Sequence, residues 1–175
     1  MHKILNGMPS LQTSSNLNDR VAHADRASSG GVSVYFDDCK QVVLDAINGC
    51  SFALVCAAWL TERDIINELV RSECKVVITA DVMHTRCQKL QDIEHLRVLG
   101  NSRGRRRPLM HSKFLVGFDD HQQPRFVLTG SFNYTAHASR NIENLVRIDD
   151  AAIASAYADE FNKIYAAGRR LVSRR

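Results

Sequence analysis

The sequence predicts an α/β domain: a mixed central β-sheet with helices on both faces. Three observations lead there. At 175 residues, 45% hydrophobic and 24% charged, with nine Gly and three Pro, the chain has the size and composition of one globular domain. Its first half alternates strand-like and helix-like segments, the βαβ pattern of a parallel sheet. Its second half runs through several strands in succession before a closing amphipathic helix. A chain of this length buries about 70% of the surface it exposes when unfolded, so its core needs no disulfide or metal staple.

The elements follow in order. Residues 1–31 show neither the helical nor the strand period and end in SSGG, which predicts a flexible or partner-ordered arm. The folded domain is expected over residues 32–168. VSVYF, from Val32, reads as a strand. DDCKQVVLDAING sets Val42, Val43, Ala46 and Ile47 at helical spacing and stops at Gly49, and SFALVCAAW is a continuous apolar run suited to a strand buried on both faces. Thr61 reads as an N-cap. TERDIINELVRS then aligns Ile65, Leu69 and Val70 on one stripe, KVVITAD is a second buried strand, and VMHTRCQKLQDIEHL reads as a more polar helix. GNSRGRRRP is an aperiodic loop ending at Pro108. MHSKFLVGF and RFVLTGSF read as a hairpin joined by DDHQQP, followed by a helical turn in YTAHASR, a strand in IENLVRI and the closing helix AAIASAYADEFNKIYAAG. Residues 169–175, RRLVSRR, form a basic tail. No internal repeat is present.

Composition narrows the function classes. No apolar run approaches the roughly 18 residues of a membrane span, and the first thirty residues hold no apolar leader core, so the expectation is a cytoplasmic chain without stable membrane association. The five cysteines (Cys39, Cys50, Cys56, Cys74, Cys87) are odd in number, form no CxxC and sit mostly in apolar runs, as reduced buried thiols do. Net charge is +4, and Arg supplies 17 of the 23 basic residues, which points to an anionic partner. His84 and Cys87 in HTRC are two ligands without a third at metal spacing, so neither metal nor cofactor is expected. His121 and His137 lie in polar segments and read as solvated.

One constellation carries chemistry. Side chains alternate along a strand, so His111 and Lys113 share a face, as do Ser131 and Asn133. Pairing the two strands gathers an imidazole, an ammonium, a hydroxyl and a carboxamide, with Gly130 admitting a ligand close to the backbone. Such a set suits a phosphate: Lys113 supplies charge, Ser131 and Asn133 supply donors, and His111 serves as nucleophile or proton carrier. Glu143, on the next strand, would hold one imidazole nitrogen and leave the other free to attack, whereas Asn144 faces away. An exposed His and Lys on an edge strand is the plain alternative, and the following GSxN argues against it. Arg103, Arg105, Arg106 and Arg107, chained to the His111 strand, are expected to guide a phosphate backbone.

Taken together, H-S-K-F-L-V-G-F-D, T-G-S-F-N-Y-T and N-I-E-N-L resemble the HxK...D...GSxN motif of the phospholipase D superfamily. The order of the preceding elements matches too, so the resemblance covers about residues 32–167. With one motif copy, the chain is most similar to the single-motif branch of Nuc-type bacterial endonucleases and mitochondrial phospholipase D or Zucchini proteins. The resemblance implies the phospholipase D/nuclease fold. It makes His111 the residue that becomes phosphohistidine, Lys113 and Asn133 the phosphate ligands, Ser131 a supporting donor and Glu143 the carboxylate behind the histidine. Five residues separate Lys113 from Asp119, one more than in the family pattern, so the motif aspartate falls to Asp119 or Asp120.

The activity expected is metal-independent hydrolysis of DNA or RNA. Hydrolysis of a lipid head-group phosphodiester is the enzymatic alternative, disfavoured by the polar loops NSRGRRRP and DDHQQP. A nucleic-acid-binding module without turnover is the other, disfavoured by the intact His111, Lys113, Asn133 and Glu143. In-line displacement needs a second group opposite the nucleophile. His84 and His95 have Arg86 and Arg97 two positions on but no GSxN behind them, so a homodimer sharing His111 from each chain is expected.

Overall fold

The computed structural model describes residue 21 and residues 27–79, 88–100 and 108–171. Nine strands form one sheet: β1 (Ala27–Ser29), β2 (Val32–Tyr35), β3 (Phe52–Ala57), β4 (Cys74–Thr79), β5 (His95–Leu99), β6 (Lys113–Phe118), β7 (Pro124–Gly130), β8 (Leu145–Ile148) and β9 (Arg169–Arg170). The order across the sheet is β1-β2-β8-β7-β6-β3-β4-β5-β9. β3, β4 and β5 run parallel, and the other pairings are antiparallel. Helices α1 (Cys39–Asn48), α2 (Arg63–Arg71) and α3 (Ala151–Ala167) complete the described elements.

Alternation along the strands divides the core in two. Ala53, Val55 and Ala57 of β3 join Val76 and Ile78 of β4 and Leu115 of β6 beneath α1 and α2, which contribute Val43, Ile47, Ile65, Ile66 and Leu69. Leu54, Cys56, Val77, Phe114, Val116 and Val127 face the other way and pack on Ala154, Ala158 and Phe161 of α3. Both faces of the central strands are therefore dry, which is why FALVCA and CKVVIT read as unbroken apolar runs. The expected mixed sheet between helical layers is the architecture observed.

Several expectations are corrected. α2 has Glu62 and not Thr61 at its N-cap, and Val70 is exposed, off the buried stripe. β6 and β7 stop short of His111, Ser131 and Asn133, and β8 begins after Glu143. Three further boundaries shift. The segment VMHTRCQKLQDIEHL was expected to be helical; in its described part Gln88–Asp92 is a single 3₁₀ stretch, and His95 opens β5. The competing period lies in HLRVL, where Leu96 and Val98 are buried between more exposed neighbours, the two-residue alternation of a strand beside β4. Ala27–Ser29, at the end of the expected arm, pairs with β2 across Gly30 and Gly31, both at positive φ (56° and 81°). The exposed strand ASS is held by backbone bonds alone and leaves no apolar pattern to read. Arg169 and Arg170, the start of the expected tail, pair with Val98 and Arg97 of β5. The rest of the arm and residues 172–175 lie outside the described residues.

Candidate active site

The chemistry-bearing segments meet where the parallel strands β3, β4 and β5 end and β6 begins. Thr79, at the end of β4, donates its hydroxyl to the Met110 carbonyl, and Gly100 bridges Leu109. These ties set the chain entering β6 across the sheet end and leave His111 exposed there, two residues before the strand. Lys113 is the first residue of β6; its carbonyl accepts the Thr129 hydroxyl of β7 at 3.0 Å.

β7 stops at Gly130 for a steric reason. A Cβ at that position would lie 2.1 Å from the Asn144 carbonyl oxygen, so only glycine lets the chain cross here. Beyond it Ser131 N–H donates to Asn144 O at 3.1 Å, and Asn144 N–H returns a bond to Ser131 Oγ at 3.1 Å. Phe132 and Tyr134 point into the core, which leaves Asn133 half-buried between them. Tyr134 fastens this segment to the chain after β3: its N–H donates to Trp59 O at 3.1 Å, and its carbonyl accepts Thr61 and Glu62 N–H at 2.8 and 2.9 Å.

Within this frame the Lys113 ammonium lies 3.5 and 3.4 Å from the two ring nitrogens of His111 and donates to the His111 carbonyl at 2.9 Å. Burial, and then the Lys113 charge, hold the imidazole below the ordinary histidine range, so the ring is neutral at neutral pH. Burial likewise lowers Lys113, opposed by the negative charge of Glu143. Trp59 stands edge-on to His111, with ring centroids 5.2 Å apart at 80°, and Lys113 Nζ lies 6.0 Å from the indole centroid. An open groove of about 560 Å³ passes the pair, lined by His111, Ser112, Lys113, Gly130, Tyr157 and Glu160 among others. A larger depression of about 860 Å³ opens at the opposite end of the sheet beside Phe52, Lys75 and His95. It carries Glu73, Asp92, Glu94 and Asp120 against Arg71 and Lys75, a net negative charge ill suited to a phosphate.

His111 and Lys113 thus come together as the sequence indicates, with Ser131, Asn133 and Glu143 in the adjoining segments. Glu143, expected behind the imidazole, is engaged elsewhere: Oε2 accepts the Ser131 hydroxyl and Oε1 accepts Asn141 Nδ2 at 3.3 Å. The Ser131 proton is accordingly directed at a carboxylate, away from any ligand. The side-chain oxygen of Asn133 is buried and has no hydrogen-bond partner among the described residues, which leaves the carboxamide free to turn its Nδ2 donors toward an oxyanion. Asp119 accepts His121 and Gln123 N–H, both at 2.9 Å, in the β6–β7 turn at the far end of the hairpin, and Asp120 is exposed beside it. His121 and His137 are exposed as expected. Arg103, Arg105, Arg106, Arg107, His84 and Cys87 lie outside the described residues. Trp59, Thr79 and Asn141 were not anticipated. The usable signal for Trp59 was its place just past a buried parallel strand, where α/β sheets put their sites.

Residues 43–165 match the family described as "Cardiolipin synthase, PLD-like domain". A curated relative, the uncharacterized protein L381 of Acanthamoeba polyphaga mimivirus, is 22% identical over 185 residues that cover 79% of this chain; the match spans 66% of that protein. Nuc from Salmonella typhimurium, described as a phospholipase D family member, superposes with a TM-score of 0.67 at 24% identity, covering 81% of this chain and 98% of its own. NucT from Helicobacter pylori gives a TM-score of 0.64 at 16% identity over 80% and 98% of the two chains. TrmBL2, an archaeal chromatin protein with a novel mode of DNA binding, gives 0.53 at 14% identity over 89% and 58%. The structural likenesses concern the fold, and they place the same mixed sheet in each.

Proposed function

The chain belongs to the phospholipase D-like family, and from that premise we propose that it is a phosphodiesterase cleaving DNA or RNA through a phosphohistidine on His111. The observation that carries this reading is the neutral imidazole beside the Lys113 ammonium at the mouth of an open groove. A neutral ring keeps the lone pair a nucleophile needs, and an adjacent cation draws the phosphate to it.

In the first step a His111 ring nitrogen attacks phosphorus. The N–P bond forms as the bond to the leaving nucleoside oxygen breaks, and that oxygen takes a proton from an acid on the opposite side. In the second step water attacks phosphorus, the same group accepts its proton, the N–P bond breaks and the imidazole is restored. Lys113 and Asn133 offset the charge that builds on the non-bridging oxygens. Glu143 acts through Ser131, fixing the GSFN segment. The acid is His111 of a second copy, which holds a proton while the attacking ring is neutral, so the two imidazoles share one proton and the working unit is a homodimer with one shared centre.

Nucleic acid is preferred to lipid because of the +4 net charge and the run of arginines that precedes His111 in the sequence. The DNA-binding description of TrmBL2 is in keeping with that preference. The family description and Ile142, 54% exposed beside Glu143, speak for a lipid head group as the second reading. The test incubates purified protein with DNA, RNA and cardiolipin vesicles, then quenches rapidly in alkali with labelled substrate. Cleavage of nucleic acid with label on His111 is the expected result. Cleavage confined to cardiolipin supports the second reading, and label on serine counts against both.

A further inference from the structure

The imidazole needs something to hold its orientation, and the carboxylate assigned to that task by sequence spacing is bound to Ser131 and Asn141. Among the described residues, Lys113 and the indole of Trp59 contact the ring. We propose that Trp59 is a positioning residue: it fixes the His111 imidazole in one orientation beside the Lys113 ammonium. This rests on the reading of His111 as the nucleophile.

The main chain beneath the indole is fixed on both sides. Trp59 follows Ala58, which is fully buried at the end of β3, and its carbonyl accepts the Tyr134 N–H. Leu60 bridges Tyr134, and Thr61 and Glu62 both donate to the Tyr134 carbonyl. Tyr134 is itself only 1% exposed. A half-buried ring on so constrained a backbone is a wall with a set position.

Its two contacts have the geometry that such a wall should use. Perpendicular rings at 5.2 Å let the electron-rich face of one meet the positive edge of the other, which favours one ring rotation over a freely turning imidazole. The Lys113 ammonium lies within cation–π range of the indole, so one side chain restrains both groups. The ammonium is then held from three directions, by the His111 carbonyl, the imidazole and the indole.

The chain contains a single tryptophan, so its fluorescence reports from the site without an activity assay. Protonated imidazole in contact with indole quenches its emission. Emission of the wild type is expected to fall as pH drops through the lowered His111 titration, and His111→Gln is expected to abolish that step. A step that persists in His111→Gln, or none in the wild type, overturns the contact.

Turnover of bis(p-nitrophenyl) phosphate is then followed for Trp59→Ala and Trp59→Phe. Trp59→Ala should lower kcat on the order of 10- to 100-fold, the scale of a misplaced reacting group, with KM nearly unchanged. Its acid limb should move to higher pH, because loss of the indole lessens the burial that lowers His111. Trp59→Phe should recover most of kcat and the wild-type limb. A rise in KM alone makes the indole a substrate contact, and a loss with an unmoved limb that Phe does not rescue makes it a structural plug; either overturns the proposal. Should Trp59→Ala fail to fold, Trp59→Phe and the wild-type titration decide. A wild type that quenches as expected yet hydrolyses no phosphodiester overturns the hydrolase reading and this one with it. A wild type that hydrolyses the ester without a His111-dependent quench overturns the role of Trp59 alone.

Discussion

The protonation of one ring sets the working range of the site. His111 is held below the ordinary histidine range by burial and by Lys113, and Lys113 below the ordinary lysine range by burial. Attack needs a neutral His111, the leaving oxygen needs the protonated His111 of the second copy, and Lys113 must be charged. The pH dependence of kcat/KM should therefore be bell-shaped, rising as the nucleophilic ring loses its proton and falling as the acid ring does. A pH profile with its acid limb at or above the ordinary histidine value speaks against the neutral-nucleophile reading. His111→Ala should remove turnover by about three orders of magnitude or more, with circular dichroism unchanged because the side chain is exposed. Gly130→Ala should lose activity for a different reason, since its methyl group would displace Asn144 and the Ser131 hydroxyl with it. His111, Lys113 and Asn133 were legible because their spacing is local. His111 lies two residues before β6 and Asn133 three past β7, so the short spacing keeps each beside its strand end although the alternation itself stops short of them. The partner of Glu143 was not, because the crossing at Gly130 decides which side chain the carboxylate reaches, and no spacing rule describes that crossing.

Among the elements, α3 is the firmest. Ala154, Ala158 and Phe161 bury one stripe, and the two small residues let the helix approach the sheet. Asp150 caps it by accepting the Ile153 N–H at 2.9 Å, and Arg97 of β5 donates to the Tyr165 carbonyl at 2.8 Å near its C-terminus. Asp150→Ala is expected to cost about 1 kcal/mol and Phe161→Ala about 3–5 kcal/mol, read as shifts in the urea midpoint. Neither residue lines the groove, although Tyr157 and Glu160 of the same helix do, so the folded fraction should keep its kcat; a drop in kcat matching the stability loss would mean that the packing of α3 sets those groove residues. The central strands and the three helices were readable because their periods are long and unmixed. β5 was not, since the apolar spacing of Leu90 and Ile93 continues into HLRVL and masks its two-residue alternation. β1 and β9 carry no pattern to recognise, being strands only through their partners' backbones.

At the level of the whole molecule, the shared-centre proposal makes activity depend on pairing. Mixing wild-type chains with His111→Ala chains and refolding them together should give activity that follows roughly the square of the wild-type fraction. A straight line, or full activity from a species that light scattering identifies as a monomer, would return the proton donor to the same chain. Because Lys113 and Asn133 supply the charge and donors at phosphorus, activity is also expected to survive excess EDTA; complete loss restored by magnesium would sink the mechanism. The pairing of β3 with β6 governs how the fold comes into being. In synthesis order, β3, α2, β4 and β5 all precede β6, so FALVCA waits with one apolar edge unpaired while the ribosome supplies the strand that covers it. Such an interval favours aggregation and slow, non-local closure over rapid local folding. The contact of Glu143 with Ser131 and the pairing of β8 with β7 and β2 need the chain beyond Asn141, so a nascent chain stopped before Glu143 has neither a finished core nor the carboxylate that holds Ser131, and recovered activity during refolding times that late closure.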